Sequence, residues 1–214
     1  MHILLIALAF LLAAPLGAQD RWEETIQSFE EADRAQPATA GGVVFIGSSS
    51  IRRWGLEKSF PGRGYVNRGF GGSAIADSTR YADRIVTPRK PSFVVLYAGD
   101  NDIGQGGKAR QVLADYRAFV AKIHAALPET HIGFISIKPS LRRWHLIDTI
   151  REANALVRAE TSMDPRLFFV DVDAPMVGSD GKPRPELLVE DGLHMTDEGY
   201  RVWVEAIEPF LAQN

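Results

Sequence analysis

Short unbroken apolar runs alternate along this chain with stretches in which apolar residues return every third or fourth position. The clearest runs are VVFIG at 43–47, SFVVLYAG at 92–99, HIGFISI at 131–137 and LFFVDV at 167–172. A strand in a parallel sheet is buried on both faces and needs apolar side chains on both, so each run reads as such a strand. YVNRGFGGS at 65–73 reads as a further short strand ending in glycines. The periodic stretches read as helices. Residues 20–35 carry Trp22, Ile26 and Phe29 on one face, and ATAGG ends that helix. AIADSTRYADRIV at 74–86 is closed by TPRKP. A long helix presents Val112, Tyr116, Phe119, Ile123 and Leu127 before Pro128 stops it. Another, over 146–162, carries Ile147, Ile150 and Leu156. The last starts at Thr196, a suitable N-cap, and runs to Leu211. Between these lie a turn with a short helix (SSIRRWGLEKSF), the loops DNDIGQGG and KPSLRRW, and a long Pro- and Gly-bearing loop over 173–192. Strand and helix alternate throughout, which predicts an α/β fold: a parallel sheet with helices on both faces and right-handed crossovers.

Composition narrows the picture. Of 214 residues, 45% are hydrophobic and 24% charged, the balance of an ordinary globular chain that builds its own core. A net charge of −3, with the isolated pairs Arg52-Arg53 and Arg142-Arg143 in place of a basic block, argues against a nucleic-acid partner. Cysteine is absent, which removes disulfides, thiolate metal sites and a cysteine nucleophile. The N-terminus holds an apolar run from Ile3 to Ala14, then Pro15, small residues and a polar start. That is the form of a secretory signal, residues 1–18, cleaved near Ala18. The run is shorter than the roughly 20 residues of a spanning helix, so cleavage is favoured over retention as a membrane anchor. The expectation is one exported domain over 19–214, periplasmic in a Gram-negative cell or secreted, without stable membrane insertion.

In an open parallel sheet, ligands bind beyond the C-terminal ends of the strands. Those ends here carry Ser48, Ser49 and Ser50; Gly69, Gly71 and Gly72; Asp100, Asn101 and Asp102; Lys138, Pro139 and Ser140; and, from the long loop, Asp191 and His194. A serine hydroxyl becomes a useful nucleophile when a base takes its proton, and an imidazole is such a base. A carboxylate three residues away can fix the imidazole's tautomer. Backbone amides at glycines and a side-chain amide can hold a developing oxyanion. These are the parts needed for acyl transfer, with no cofactor.

The sequence resembles the SGNH, or GDSL-type, hydrolase family. FIGSSSI is similar to the family's first block, VNRGFGGS to its second, YAGDNDI to the Gly-x-Asn-Asp block at Gly99, Asn101 and Asp102, and DGLHMTDEGY to the Asp-x-x-His block. They stand in order from Val43 to Tyr200. The resemblance implies a three-layer α/β/α sandwich, flavodoxin-like, with a five-stranded sheet in the order 2-1-3-4-5. It implies Ser49 as nucleophile, Asp191 and His194 as the rest of a triad, and Ser49, Gly72 and Asn101 as oxyanion donors. It implies a carboxylic ester hydrolase with a small-molecule, glycan or lipid ester as substrate. One departure stands out: the usual Gly-Asp-Ser reads Gly47-Ser48-Ser49, which leaves Ser48 and Ser50 as rival registers.

His145, in the RRWH loop, is the rival base. Asp100 and Asp102 with Asp191 make too thin a ligand set for a metal, and none is expected. GFGG lacks both the spacing and the lysine of a phosphate loop. Trp54, Arg143 and Trp144 are candidate substrate-binding residues, an aromatic wall and a cation for an anionic group, against ordinary loop packing. The leaning is towards small acyl esters, with long-chain acyl esters or thioesters as the alternative. A non-catalytic binding module on the same scaffold is the reading from another class.

Overall fold

A computed structural model describes residues 20–36 and 40–212. The five runs form strands β1 (Val43–Gly47), β2 (Val66–Gly69), β3 (Phe93–Tyr97), β4 (His131–Ile135) and β5 (Leu167–Val170). All pair in parallel, in the order β2-β1-β3-β4-β5. The register sets Gly47 level with both Gly69 and Tyr97, so three strand ends meet at one height on the rim.

Alternation along the strands divides the core. Val44, Ile46, Val94 and Leu96 point to one face and Val43, Phe45, Phe93, Val95 and Tyr97 to the other. The first face is covered by α1 (Glu23–Ala35), α4 (Ile75–Ile85), α6 (Ala109–Ala126) and α7 (Ile147–Thr161). The second is covered by two single-turn helices, α2 (Ser49–Arg52) and α3 (Leu56–Ser59), by the loop that follows β5, and by α8 (Asp197–Leu211). Burial of this stripe on both faces is the main stabilising term.

Two readings need adjustment. DNDIGQGG is not wholly loop: Asp100–Gly104 forms a single helical turn, α5. The Asp102 carboxylate caps it by accepting from the Gly99 amide, and it also accepts from the Ile75 amide at the start of α4. Asp102 therefore ties two loops together. Leu127 does not extend the buried stripe of α6; it is the half-buried residue after the helix end. The N-terminal apolar run and the cleavage point near Ala18 lie outside the described residues. Among the described residues, no helix is long and apolar enough to cross a membrane.

The start of α8 follows the sequence closely. The Thr196 hydroxyl accepts from the Gly199 amide and donates to the Glu186 carbonyl. Thr196→Ala is expected to lower stability by about 1 kcal/mol, read as a reduced midpoint in urea denaturation with the slope unchanged. An unchanged midpoint would show that the cap contributes nothing.

Candidate active site

The serine run leaves β1 at Gly47, whose φ of 140° is open only to glycine. Ser48 is extended, and α2 begins at Ser49. The turn separates the three hydroxyls. Ser48 is 2% exposed and Ser50 3% exposed, and the Ser50 carbonyl accepts from the Tyr200 hydroxyl at 2.8 Å. Ser49 alone of the three meets the imidazole, its Oγ lying 2.8 Å from His194 Nε2. Asn67 holds this turn against β2: its Nδ2 donates to the carbonyls of Ile51 and Trp54.

His194 Nδ1 lies 2.6 Å from Asp191 Oδ2. The other carboxylate oxygen accepts from the backbone amides of Leu193 and His194, at 2.9 and 2.8 Å. Burial pushes the Asp191 carboxyl up, but the hydrogen bonds from the His194 ring and the two amides more than reverse this. The result is a carboxyl well below its ordinary range, ionised at neutral and mildly acidic pH. The four-residue stretch Asp191-Gly192-Leu193-His194 thus makes its own rigid turn, with Gly192 at φ 64°. His145 is exposed in a short 3-10 turn at 144–146, and His124 Nε2 bonds the Thr130 carbonyl.

The Gly71-Gly72 loop crosses beside α2. A Cβ on Gly71 would come within 3.2 Å of the Arg52 guanidinium, and Gly72 has φ 78°. Both carbonyls of this loop are held from α1's N-terminal side: Trp22 Nε1 donates to Gly71 O and Arg21 Nη2 to Gly72 O, each at 3.0 Å. Sequence reasoning missed this role for Arg21 and Trp22. No local signal carries it, since the partners are about fifty positions apart. Asn101 stands on the loop's other side, its Nδ2 donating to Ser73 O at 3.0 Å. Ser49, the Gly72 loop and Asn101 are thereby linked through α2 and Ser73.

The three candidate substrate residues part company. Trp54 is a correction. It is 2% exposed, stacked on Tyr200 and packed edge-on to Phe45 and Trp203, with Nε1 bonded to Ser59 Oγ. The apolar face beneath α2 and α3 takes the ring into the core, leaving none of it for a ligand. Arg143 is half-buried and engaged with protein groups, donating to Asn101 Oδ1 at 3.0 Å and pairing with Asp100 at 2.7 Å. Trp144 is half-buried, with the Arg151 guanidinium over its ring. Among the described residues, no three His, Asp or Glu side chains converge as metal ligands.

This arrangement can withdraw a proton from Ser49 Oγ through a neutral imidazole and retain it on an imidazolium paired with a carboxylate. Comparisons with known proteins show the family and the fold. Human platelet-activating factor acetylhydrolase IB subunit alpha1 is 28% identical over 179 residues, covering 79% of this chain and 74% of that one. A GDSL-like lipase from Bacteroides thetaiotaomicron has a similar structure, with a TM-score of 0.74 at 21% identity over 88% of this chain and 97% of that one. So has a catalytic mutant of an acetylxylan esterase from Geobacillus stearothermophilus, with a TM-score of 0.64 at 16% identity over 79% and 94%. These two likenesses show the fold. The sequence profile of the GDSL-like lipase/acylhydrolase family matches residues 16–202, so the chain belongs to that family and is a carboxylic ester hydrolase.

Proposed function

We propose that the protein is an exported serine esterase that cleaves short-chain acyl esters through an acyl-enzyme on Ser49. The observation that carries this reading is the unbroken chain from Asp191 through His194 to Ser49, at 2.6 and 2.8 Å. His194 Nε2 takes the Ser49 proton as Oγ attacks the ester carbonyl, and Asp191 holds Nδ1–H in the required tautomer. The oxyanion is received by the amides of Ser49 and Gly72 and by the second Nδ2 hydrogen of Asn101. The imidazolium then protonates the departing alcohol. Water, deprotonated by the same His194, attacks the acyl-Ser49 carbonyl, and collapse of the second tetrahedral species releases the acid and restores the hydroxyl. The proton that leaves with the alcohol is replaced by one from the attacking water, so both half-reactions balance and no cofactor is called for.

The preference for short acyl groups is supported by the relatives. One is named for acetyl hydrolysis and a structural neighbour for acetylxylan, which also makes a glycan ester a reasonable substrate. Export is supported by the N-terminal apolar run, small residues and polar start. Trp144, half-buried and next in sequence to Arg143, is the candidate contact for the alcohol moiety.

Hydrolysis of p-nitrophenyl esters from acetate to palmitate tests the reading. The expected result is a fall in kcat/KM beyond butyrate for the wild type, and a loss of about 10³-fold or more at every chain length in His194→Ala. A rise towards palmitate would replace the substrate assignment with a long-chain one. Wild-type rates in His194→Ala would end the mechanism.

A further inference from the structure

Behind Asn101 lies a group of charges that the acyl-transfer steps above do not use. Lys138 is 0% exposed, and its Nζ is 3.6 Å from Asp100 Oδ2. The other oxygen of Asp100, itself 5% exposed, is 2.7 Å from Arg143 Nη1. The second arm of the same guanidinium, Nη2, donates to Asn101 Oδ1 at 3.0 Å. A lysine and an arginine thus flank one buried carboxylate, next in sequence to the residue read above as an oxyanion donor. The loop that carries Lys138 is itself fixed: the Asn154 side chain brackets Ile137, accepting from its amide at 2.8 Å and donating to its carbonyl at 2.9 Å. Burial of charge on this scale is costly unless it is paired and hydrogen-bonded, so a buried cluster at this position invites a reason beyond stability.

What it orients can be read from the amide. Asn101 has an acceptor end and a donor end, and its two neighbours recognise one each. A guanidinium only donates and a backbone carbonyl only accepts. Arg143 therefore takes Oδ1, and Ser73 O takes one hydrogen of Nδ2. Turning the amide over would set donor against donor and acceptor against acceptor. The remaining Nδ2 hydrogen is left in a single fixed direction. Only a forked side chain can reach Asp100 and Asn101 at once; an ammonium is one point charge.

We propose that Arg143, clamped by the buried Asp100–Lys138 pair, is the positioning residue that locks the Asn101 amide for oxyanion binding, rather than a contact for substrate. This rests on the reading of Asn101 as an oxyanion donor. Asp100 acts one step further back, by holding the guanidinium, and Lys138 flanks the other oxygen of the same carboxylate.

The test is a double-mutant cycle on p-nitrophenyl acetate: wild type, Arg143→Met, Asn101→Ala and the double variant, with kcat and KM measured separately. Asn101→Ala should lower kcat by about 10²-fold or more. Arg143→Met should lower kcat by about 10-fold or more with KM within about 2-fold, but by less than about 3-fold once Asn101 is alanine. Arg143→Lys keeps the charge beside Asp100 and loses the fork; it should show the same fall in kcat, and it carries the test if Arg143→Met does not fold. An equal loss from Arg143→Met in both backgrounds would overturn the proposal, as would a raised KM with kcat intact, which is the mark of a substrate contact. If Asn101→Ala keeps the wild-type kcat, the donor reading itself falls and takes the proposal with it. That result is separate from independence of the two residues, in which Asn101 still matters and Arg143 does not act through it.

Discussion

Ser49→Ala is expected to remove turnover of p-nitrophenyl acetate by about 10⁴-fold or more and to abolish covalent labelling by a fluorophosphonate. The magnitude follows from what the hydroxyl does. Without Oγ there is no acyl-enzyme, and His194 is left with only water to activate, at a position fixed for a side chain. The hydroxyl is small and half-exposed, so its loss should leave the melting temperature within a few degrees, which separates chemistry from folding. The same experiment settles the register of the serine run. Ser48 and Ser50 are 2% and 3% exposed, and the imidazole bonds the Ser49 hydroxyl, so Ser48→Ala and Ser50→Ala should both still be labelled. Labelling that persists in Ser49→Ala and disappears in Ser48→Ala or Ser50→Ala would move the nucleophile and undo the triad proposed here.

Gly47→Ala carries the largest effect expected on stability. Gly47 has φ 140°, and a Cβ there would sit 1.9 Å from the main-chain carbonyl oxygen of Tyr97. That oxygen belongs to the neighbouring strand and accepts from the Ser48 amide at 3.0 Å, so it has nowhere to go. The strand ends would have to separate at the point where the nucleophile turn begins. A loss of about 4 kcal/mol or more is expected, appearing as insoluble protein or a melting temperature lowered by about 10 °C or more. Gly106→Ala is the control. Gly106 also has positive φ, 93°, but nothing lies within 4 Å of the added methyl, so the strain alone should cost about 1 kcal/mol. A melting temperature for Gly47→Ala equal to that of Gly106→Ala would show that the close approach to Tyr97 does not constrain the turn.

The strands were legible because unbroken apolar runs such as FVVLY leave few alternatives to a doubly covered position. The end of α6 was not. Leu127 continues the helical spacing of Val112, Tyr116, Phe119 and Ile123, but the backbone leaves the helix at that residue, ahead of Pro128 and its demand for a non-helical predecessor. The turn of helix at Asp100–Gly104 was hidden for the opposite reason: a run of polar and glycine residues carries no periodicity, and only the Asp102 cap reveals it. Trp54 is a candidate by sequence because a tryptophan directly after an arginine pair looks like a loop aromatic, yet the ring is 2% exposed. Whether such a ring faces solvent or core depends on which way α2 turns, and that is decided by Asn67 on another strand.

The sequence by itself determined the class of fold, the order of its elements and the chemical inventory at the strand ends, since these follow from local spacing and residue type. It also carried the Asp191–His194 turn, whose bonds span three residues or fewer. Tertiary structure alone decided which of three serines meets the imidazole, that Arg21 and Trp22 hold the glycine loop, and that Arg143 and Lys138 converge on Asp100 behind Asn101. The physical reason is distance along the chain. Ser49 and His194 are 145 positions apart, and Arg143 and Asn101 are 42 apart, so no local propensity relates them. The relation exists only once parallel pairing has brought the C-terminal ends of all five strands to one rim.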